Sequence, residues 1–437
     1  MTSPNLTPDR TGDLLYRRIA WRLMPVLLAG YIIAYIDRVN VSFARLQMMG
    51  DLKFSDGVYG VGAGIFFLGY FAFEVPSNII LHKVGARIWI GRVIVTWGIV
   101  SALTALVHTP VQFYIARLLL GVAEAGFFPG MILYLTYWFP AHRRAAMVAL
   151  LMAGNPVSGI IGGPLSGFIL HHFTNTNGIA GWQWLFILEA VPAILFGAVI
   201  FLFLDNRVVE AAWLSPNERA TVGAEIHAEA ETKSRMSIGS VFTSPKVWLL
   251  CAIFFGIEMG SYAVGFWQPT IIRQSGVKDA LTIGLLTTIP YATALVTLVL
   301  TGHHSDRTRE RRWHTIFPSL AAAAGFLLCT RGSNTALAMF GLVLAAAGVI
   351  TAVAMFWALP TSLLGGNAAA VGIAFVNCTG NLGGFFSPTV IGFLKTYTGT
   401  LNSGLYLIAG CMVASSILIF TLAPAPIVSI RPQEEPI

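Results

Sequence analysis

The sequence predicts an all-α membrane protein: twelve transmembrane helices in two pseudo-symmetric six-helix bundles. Three observations carry that expectation. Of 437 residues, 56% are hydrophobic and 11% charged, against roughly 25% charged residues in soluble domains, so the solvent of this chain is lipid. The apolar residues gather into twelve runs, each close to the about 20 residues that a spanning helix needs. One crowded charged stretch, 205–245, parts the twelve into six and six.

Taken in order, the first run (23–44) follows a polar start bearing Arg10, Arg17, Arg18 and Arg22. No small-residue cleavage site follows it, so it reads as an uncleaved span and not as a secretory signal. The second (58–81) carries "YFAFEVPSN", and the third (88–107) follows a short basic loop with Lys83 and Arg87. The fourth (111–135) holds "RLLLGVAEAGFFPG", and the fifth (145–170) holds "GNPVSGIIGGPLSG". The sixth (183–204) carries "LFILEAVP" before Glu210, Glu218, Glu225, Glu229, Glu231, Lys233 and Arg235 crowd together. The seventh (247–269) has Glu258 near its middle, and the eighth (281–301) precedes His303, His304 and four arginines. The ninth (314–330) and tenth (335–358) follow on short links, the tenth ending in "MFWALP". The eleventh (368–393) holds "GNLGGFFSPTVIG", and the twelfth (403–423) closes the set. Small residues let helix backbones approach closely and proline removes a helical hydrogen bond. The two glycine stretches therefore suit a moving interface or tight static packing equally.

The charged stretch divides the chain into an N-terminal bundle (1–205), a cytoplasmic linker (206–245) and a C-terminal bundle (246–437). With the N-terminus inside, nineteen Lys and Arg fall on inward segments and six on outward ones, Arg38 and Arg117 lying within helices. The excess of basic residues marks the cytoplasmic side, so both termini face the cytoplasm of an inner (plasma) membrane. It also accounts for the net charge of +7 without a nucleic-acid partner. A shift of 224 residues lays Pro164 on Pro388, Ala145 on Ala369 and Asn78 on Gly302, which indicates a duplicated six-helix unit. The same shift lays Arg117 and Glu124 on Gly341 and Gly348, so this buried charge belongs to the first half alone.

Cys251, Cys329, Cys378 and Cys411 lie in apolar runs without CxxC spacing, which excludes a disulfide framework or a zinc site. A phosphate loop and paired metal ligands are also missing, so the chain reads as neither an enzyme nor a metal protein. What remains is charge inside the membrane. "YIIAYIDRVN" sets Asp37 beside Arg38 within the first run, where a centred charge costs about 2.5–3.5 kcal/mol even on the lenient insertion scale. Tyr31, Tyr35, Arg38 and Ser42 share one helical face, and so do Arg117, Gly121, Glu124 and Phe128. Helical rise places Arg117 near the height of Asp37, and Glu124 ~10 Å nearer the cytoplasm. Arg117 is thus expected to neutralise Asp37 or Glu124, as a proton-operated switch or as a permanent lock. Glu74 and Glu189, near helix ends, are expected to pair with loop arginines or to cap helices. Glu258 has no obvious basic partner.

"AYIDRVNVSFA", "FFLGYFAFEVPSN", "RLLLGVAEAGFFPGMILYLTYWFP" and "GNLGGFFSP" resemble the major facilitator superfamily and, within it, the anion:cation symporter family. The likeness extends over nearly the whole chain and is nearest to bacterial tartrate, hydroxyphenylacetate and sugar-acid permeases. It implies a monomeric, lipid-embedded transporter importing a small organic anion by alternating access, with protons as coupling ion and no other cofactor. It implies proton coupling through Asp37 and Glu124, and a substrate surrounded by Arg38, Tyr35, Tyr70, Arg117, Asn155 and Asn377, with Trp357 as the second-half wall. "GHHSDRTRERR" is similar to the superfamily's cytoplasmic gating motif, carried by Gly302, Asp306 and Arg307, whereas the first-half loop has His82 where an aspartate is usual. The alternatives are a metabolite or drug antiporter working outward, and a transport-inactive membrane sensor.

Overall fold

The protein is described by a computed structural model over residues 10–231, 243–331, 334–363 and 368–422. The linker portion with Lys233 and Arg235, and the tail with Arg431, lie outside the described residues. The first half contains α1 (Arg10–Leu52), α2 (Asp56–Val84), α3 (Ala86–Leu103), α4 (Pro110–Glu124), α5 (Phe127–Thr136), α6 (Ala141–Met152), α7 (Gly154–His172) and α8 (Gly181–Phe203). The linker contributes α9 (Pro216–Glu231). The second half contains α10 (Pro245–Gln274), α11 (Ala280–Thr308), α12 (Trp313–Cys329), α13 (Thr335–Phe356), α14 (Ala358–Leu363), α15 (Ala368–Thr398) and α16 (Asn402–Thr421). Every one of the twelve apolar runs is met by helix. Among the described residues ten spans are long and apolar enough to cross a bilayer, α12 is a shorter apolar helix, and α15 covers the eleventh run in 31 residues.

Three elements depart from the runs read in the sequence. α1 is 43 residues long and continues past both ends of 23–44. Its polar first turns hold the linker: Tyr16 Oη donates to Glu225 at 2.9 Å, and Arg18 pairs with Glu218 at 2.6 Å. The fourth run opens on a capping box, Thr109 Oγ1 accepting from Gln112 N while Gln112 Oε1 accepts from Thr109 N. It then breaks into α4 and α5 at Gly126, whose φ of +81° is left-handed backbone that a side chain disfavours. The fifth run divides into α6 and α7 at Ala153, just before Pro156, which lacks the N–H that would bond the Met152 carbonyl.

The outside is apolar, and the charges of the spans lie inside a largely apolar core. Leu195, Leu202, Leu300 and Ile417 are exposed, whereas Asp37, Arg117 and Glu124 are fully buried. That placement is what lipid selects, since intramembrane charges face the bundle interior. The halves meet along two seams, α2 against α15 and α7 against α11. Both glycine stretches line these seams. A Cβ on Gly163 would lie 2.8 Å from the Gly284 carbonyl oxygen, and one on Gly284 would lie 2.3 Å from that of Gly163. At the end away from the termini the halves are also joined by polar contacts. Lys395 donates to Asp56 at 3.1 Å, Arg45 bonds both Asp56 and Thr270, and Tyr59 Oη donates to the Phe266 carbonyl at 2.7 Å.

Candidate functional site

Between the halves lies a cavity of about 100 Å³. Tyr35 and Arg38 reach it from α1, Tyr70 from α2, Asn155 from α7, Asn377 from α15, and Trp357 from the turn after α13. Six of the seven residues expected around a substrate therefore share one cavity. Arg117 does not line it.

Arg38 is the cation of the cavity. Its Nε and Nη2 both donate to Glu124 Oε1, the former at 3.1 Å. The guanidinium carbon lies 5.2 Å from the Tyr35 ring centre, 5.4 Å from Tyr70 and 5.3 Å from Phe66, an aromatic box that favours a cation. The Glu124 side chain is wholly buried while that of Arg38 remains 12% exposed, so the guanidinium alone of this pair can meet a ligand. Glu124 is the last residue of α4, and the break at Gly126 immediately follows it.

This pairing corrects the expectation that Arg117 neutralises Asp37 or Glu124. Arg117 instead points its Nε at the Gly62 carbonyl (3.4 Å) and its Nη2 at the Arg38 carbonyl (3.5 Å), and no ion pair joins it to either acid. Matching heights put it on the right level but could not orient it. Asp37 accepts from Ser101 Oγ and, at 3.4 Å, from Asn40 Nδ2. The helical break also means that Phe128 stands on α5, off the continuous face of Arg117, Gly121 and Glu124, although it still borders the cavity.

Glu74 and Glu189 do not pair with loop arginines among the described residues. Both are buried, and Glu189 accepts from Ser166 Oγ at 2.6 Å. Glu258 lines the cavity opposite Arg38. The sequence reading missed Tyr262 and Asn381, which also border it and share a hydrogen bond of 3.4 Å. A signal existed: Tyr262 stands four residues after Glu258, and Asn381 four after Asn377, each on the cavity-facing side of its helix.

At the C-terminal end of α11, Asp306 pairs with Arg311 of the following loop at 2.6 Å and not with Arg307. Gly302 approaches Met355, a Cβ there lying 3.7 Å from Met355 Cε. His82 lies 2.8 Å from Tyr137 Oη through Nδ1. His304 meets His314, which in turn contacts Glu310, but no group of three metal-binding side chains occurs among the described residues.

Residues 27–388 match the family described as Major Facilitator Superfamily. The chain is 47% identical over 424 residues to a putative metabolite transport protein NicT of Pseudomonas putida, covering 96% of this chain and 97% of that protein. It is 46% identical to a putative tartrate transporter of Agrobacterium vitis, covering 94% and 93%. Identity to a quinolone resistance transporter of Acinetobacter baumannii is 37%, covering 92% and 94%.

Proposed function

The chain belongs to the Major Facilitator Superfamily and is a multi-pass membrane transporter and not an enzyme, and on that premise we propose that it imports a small organic carboxylate by proton symport through alternating access. The observation that supports this reading most is Arg38, a guanidinium on the cavity wall held by a single buried carboxylate. A guanidinium fork binds a carboxylate through two parallel hydrogen bonds. An incoming carboxylate competes with Glu124 for that fork, and a proton on Glu124 settles the competition in the substrate's favour. Proton and substrate thereby bind together. The relative named as a tartrate transporter supports a hydroxy-acid substrate, and the aromatic walls of the cavity suit an aromatic acid equally. Both termini are placed in the cytoplasm of a bacterial inner membrane, the unit of transport is a monomer, and Gly302, Asp306 and Arg307 belong to the cytoplasmic gate.

Uptake of labelled carboxylates into proteoliposomes, with and without an inward proton gradient, tests the reading. Accumulation that requires the gradient supports it. Equal uptake in both conditions overturns the coupling, and no uptake of any carboxylate overturns the substrate class. The relative named for quinolone resistance favours a second reading, export, which predicts loss of preloaded substrate driven by the opposite gradient.

A further inference from the structure

Glu189 is a buried acid that the cavity does not use. It sits on α8, 3% exposed, with Oε1 accepting from Ser166 Oγ at 2.6 Å and Oε2 without a partner. Asn40 of α1 lies near both this carboxyl and that of Asp37. Its amide donates to Asp37 Oδ1 at 3.4 Å. Asn40 Oδ1 and Asp37 Oδ2 are buried and unpartnered. Asp37 is the titratable group that faces Glu189: α7 offers Ser166, α1 offers Asn40 and Asp37, and α3 offers Ser101 to Asp37. Arg117 of α4 acts on Asp37 from its other side without an ion pair.

Two carboxylates beside one amide, with no ion-pair partner among the described residues, do not both stay ionised in a dry interior. One proton resolves the arrangement. Placed on Glu189 it removes the charge that no cation compensates, while Asp37 keeps the hydrogen bonds from Ser101 and the Asn40 NH₂ group. Ser166 connects this pair to the seam between the halves. It borders a cavity of about 20 Å³ together with Ser42, Gln268 and Thr287, drawn from both halves. That is room for a single water, and Ser42 Oγ and Gln268 Oε1 are buried there without partners. The seam at this level is closed by the close approach of Gly163 and Gly284.

We propose that Glu189, held by Ser166, is a proton-binding site loaded through that hydroxyl from the seam between the halves, separate from the Arg38–Glu124 pair. The proposal rests on the proton-symport reading above. In loading, a hydronium ion in the seam gives a proton to Ser166 Oγ and becomes water, as the hydroxyl's own O–H bond breaks and that proton bonds to Glu189 Oε1. Nothing is oxidised or reduced, and release reverses the step.

Infrared spectroscopy of the purified full chain, titrated from alkaline to acid pH, reads the site without transport. The wild type is expected to show one protonated-carboxyl stretch more than Glu189→Gln, the bands of the other buried acids remaining in both, with thermal melting as the control for folding. Ser166→Ala keeps the carboxyl and is expected to keep the band, yet to slow gradient-driven uptake in proteoliposomes by about tenfold or more. An unchanged infrared spectrum in Glu189→Gln overturns the proposal, and so does wild-type uptake in Ser166→Ala. If the wild type itself shows no gradient-driven uptake, the symport reading fails, and the infrared band still decides whether Glu189 holds a proton.

Discussion

Arg38 holds Glu124 by two N–H donors on one carboxyl oxygen, and the other carboxyl oxygen has no partner. Removing one member of such a buried pair costs about 3–5 kcal/mol, because the other charge is left uncompensated. Conservative substitutions are therefore the informative ones. Arg38→Lys keeps the charge and loses the planar fork, and it is expected to weaken carboxylate binding at least about tenfold, or ~1.4 kcal/mol, in equilibrium titration. Unchanged affinity would remove Arg38 from the binding surface. Glu124→Gln keeps the shape and loses the titration. It is expected to abolish gradient-driven accumulation while leaving measurable counterflow, which moves no net proton. Accumulation against a gradient in that variant would show that Glu124 is not the coupling acid.

Helix ends set where these side chains stand. Gly126 turns the chain immediately after Glu124, and a Cβ there would lie 2.4 Å from Ser77 Oγ. Gly126→Ala meets both the left-handed backbone penalty of roughly 1–2 kcal/mol and this collision. A lower melting temperature in detergent and weaker carboxylate binding are expected together, since the turn positions Glu124; a wild-type melting curve would contradict the strain. At the far end, Asp279 caps α11, accepting from Thr282 N at 2.8 Å and Thr282 Oγ1 at 2.7 Å, and it also contacts His171 of the first half. The Thr282 hydrogen bonds hold its carboxyl down at about 2, below the usual aspartate value of about 3.9. A depressed carboxyl pKa gives stability that is complete above the unfolded value and lost as pH falls through the folded one. The contribution of this cap should thus persist to about pH 4 and disappear toward about pH 2. Asp279→Asn is expected to lower the melting temperature at neutral pH and to lessen its dependence on pH within that acid window.

For the whole molecule, alternating access requires that the seam away from the termini open. Its polar contacts run from Arg45 and Asp56 in the first half to Thr270 and Lys395 in the second. Asp56→Ala removes the carboxylate that both cations share, leaving like charges facing each other across the seam. Cysteines placed along the cavity are expected to react faster with reagent supplied from that side, and an unchanged labelling rate would reduce the network to local packing.

The sequence by itself determined the solvent, the number of spans, the duplicated skeleton and part of the cavity wall. Each span must be apolar and about a bilayer long whatever its neighbours do, and helical spacing assigns faces residue by residue. Tyr35 and Arg38 were legible in this way, whereas Tyr70, Asn155, Trp357 and Asn377 came from the family resemblance, and all six share the cavity. The partner of each buried charge was decided by tertiary structure. Arg38 and Glu124 are 86 positions apart, and Arg117 reached the expected level yet turned toward carbonyl oxygens. The break at Gly126 was equally hidden, because glycine is common within transmembrane helices and its presence alone does not mark a turn. Depth follows from rise along one helix, but rotation and separation between helices depend on how all twelve pack, and a hydrogen bond made within about 3 Å is sensitive to both.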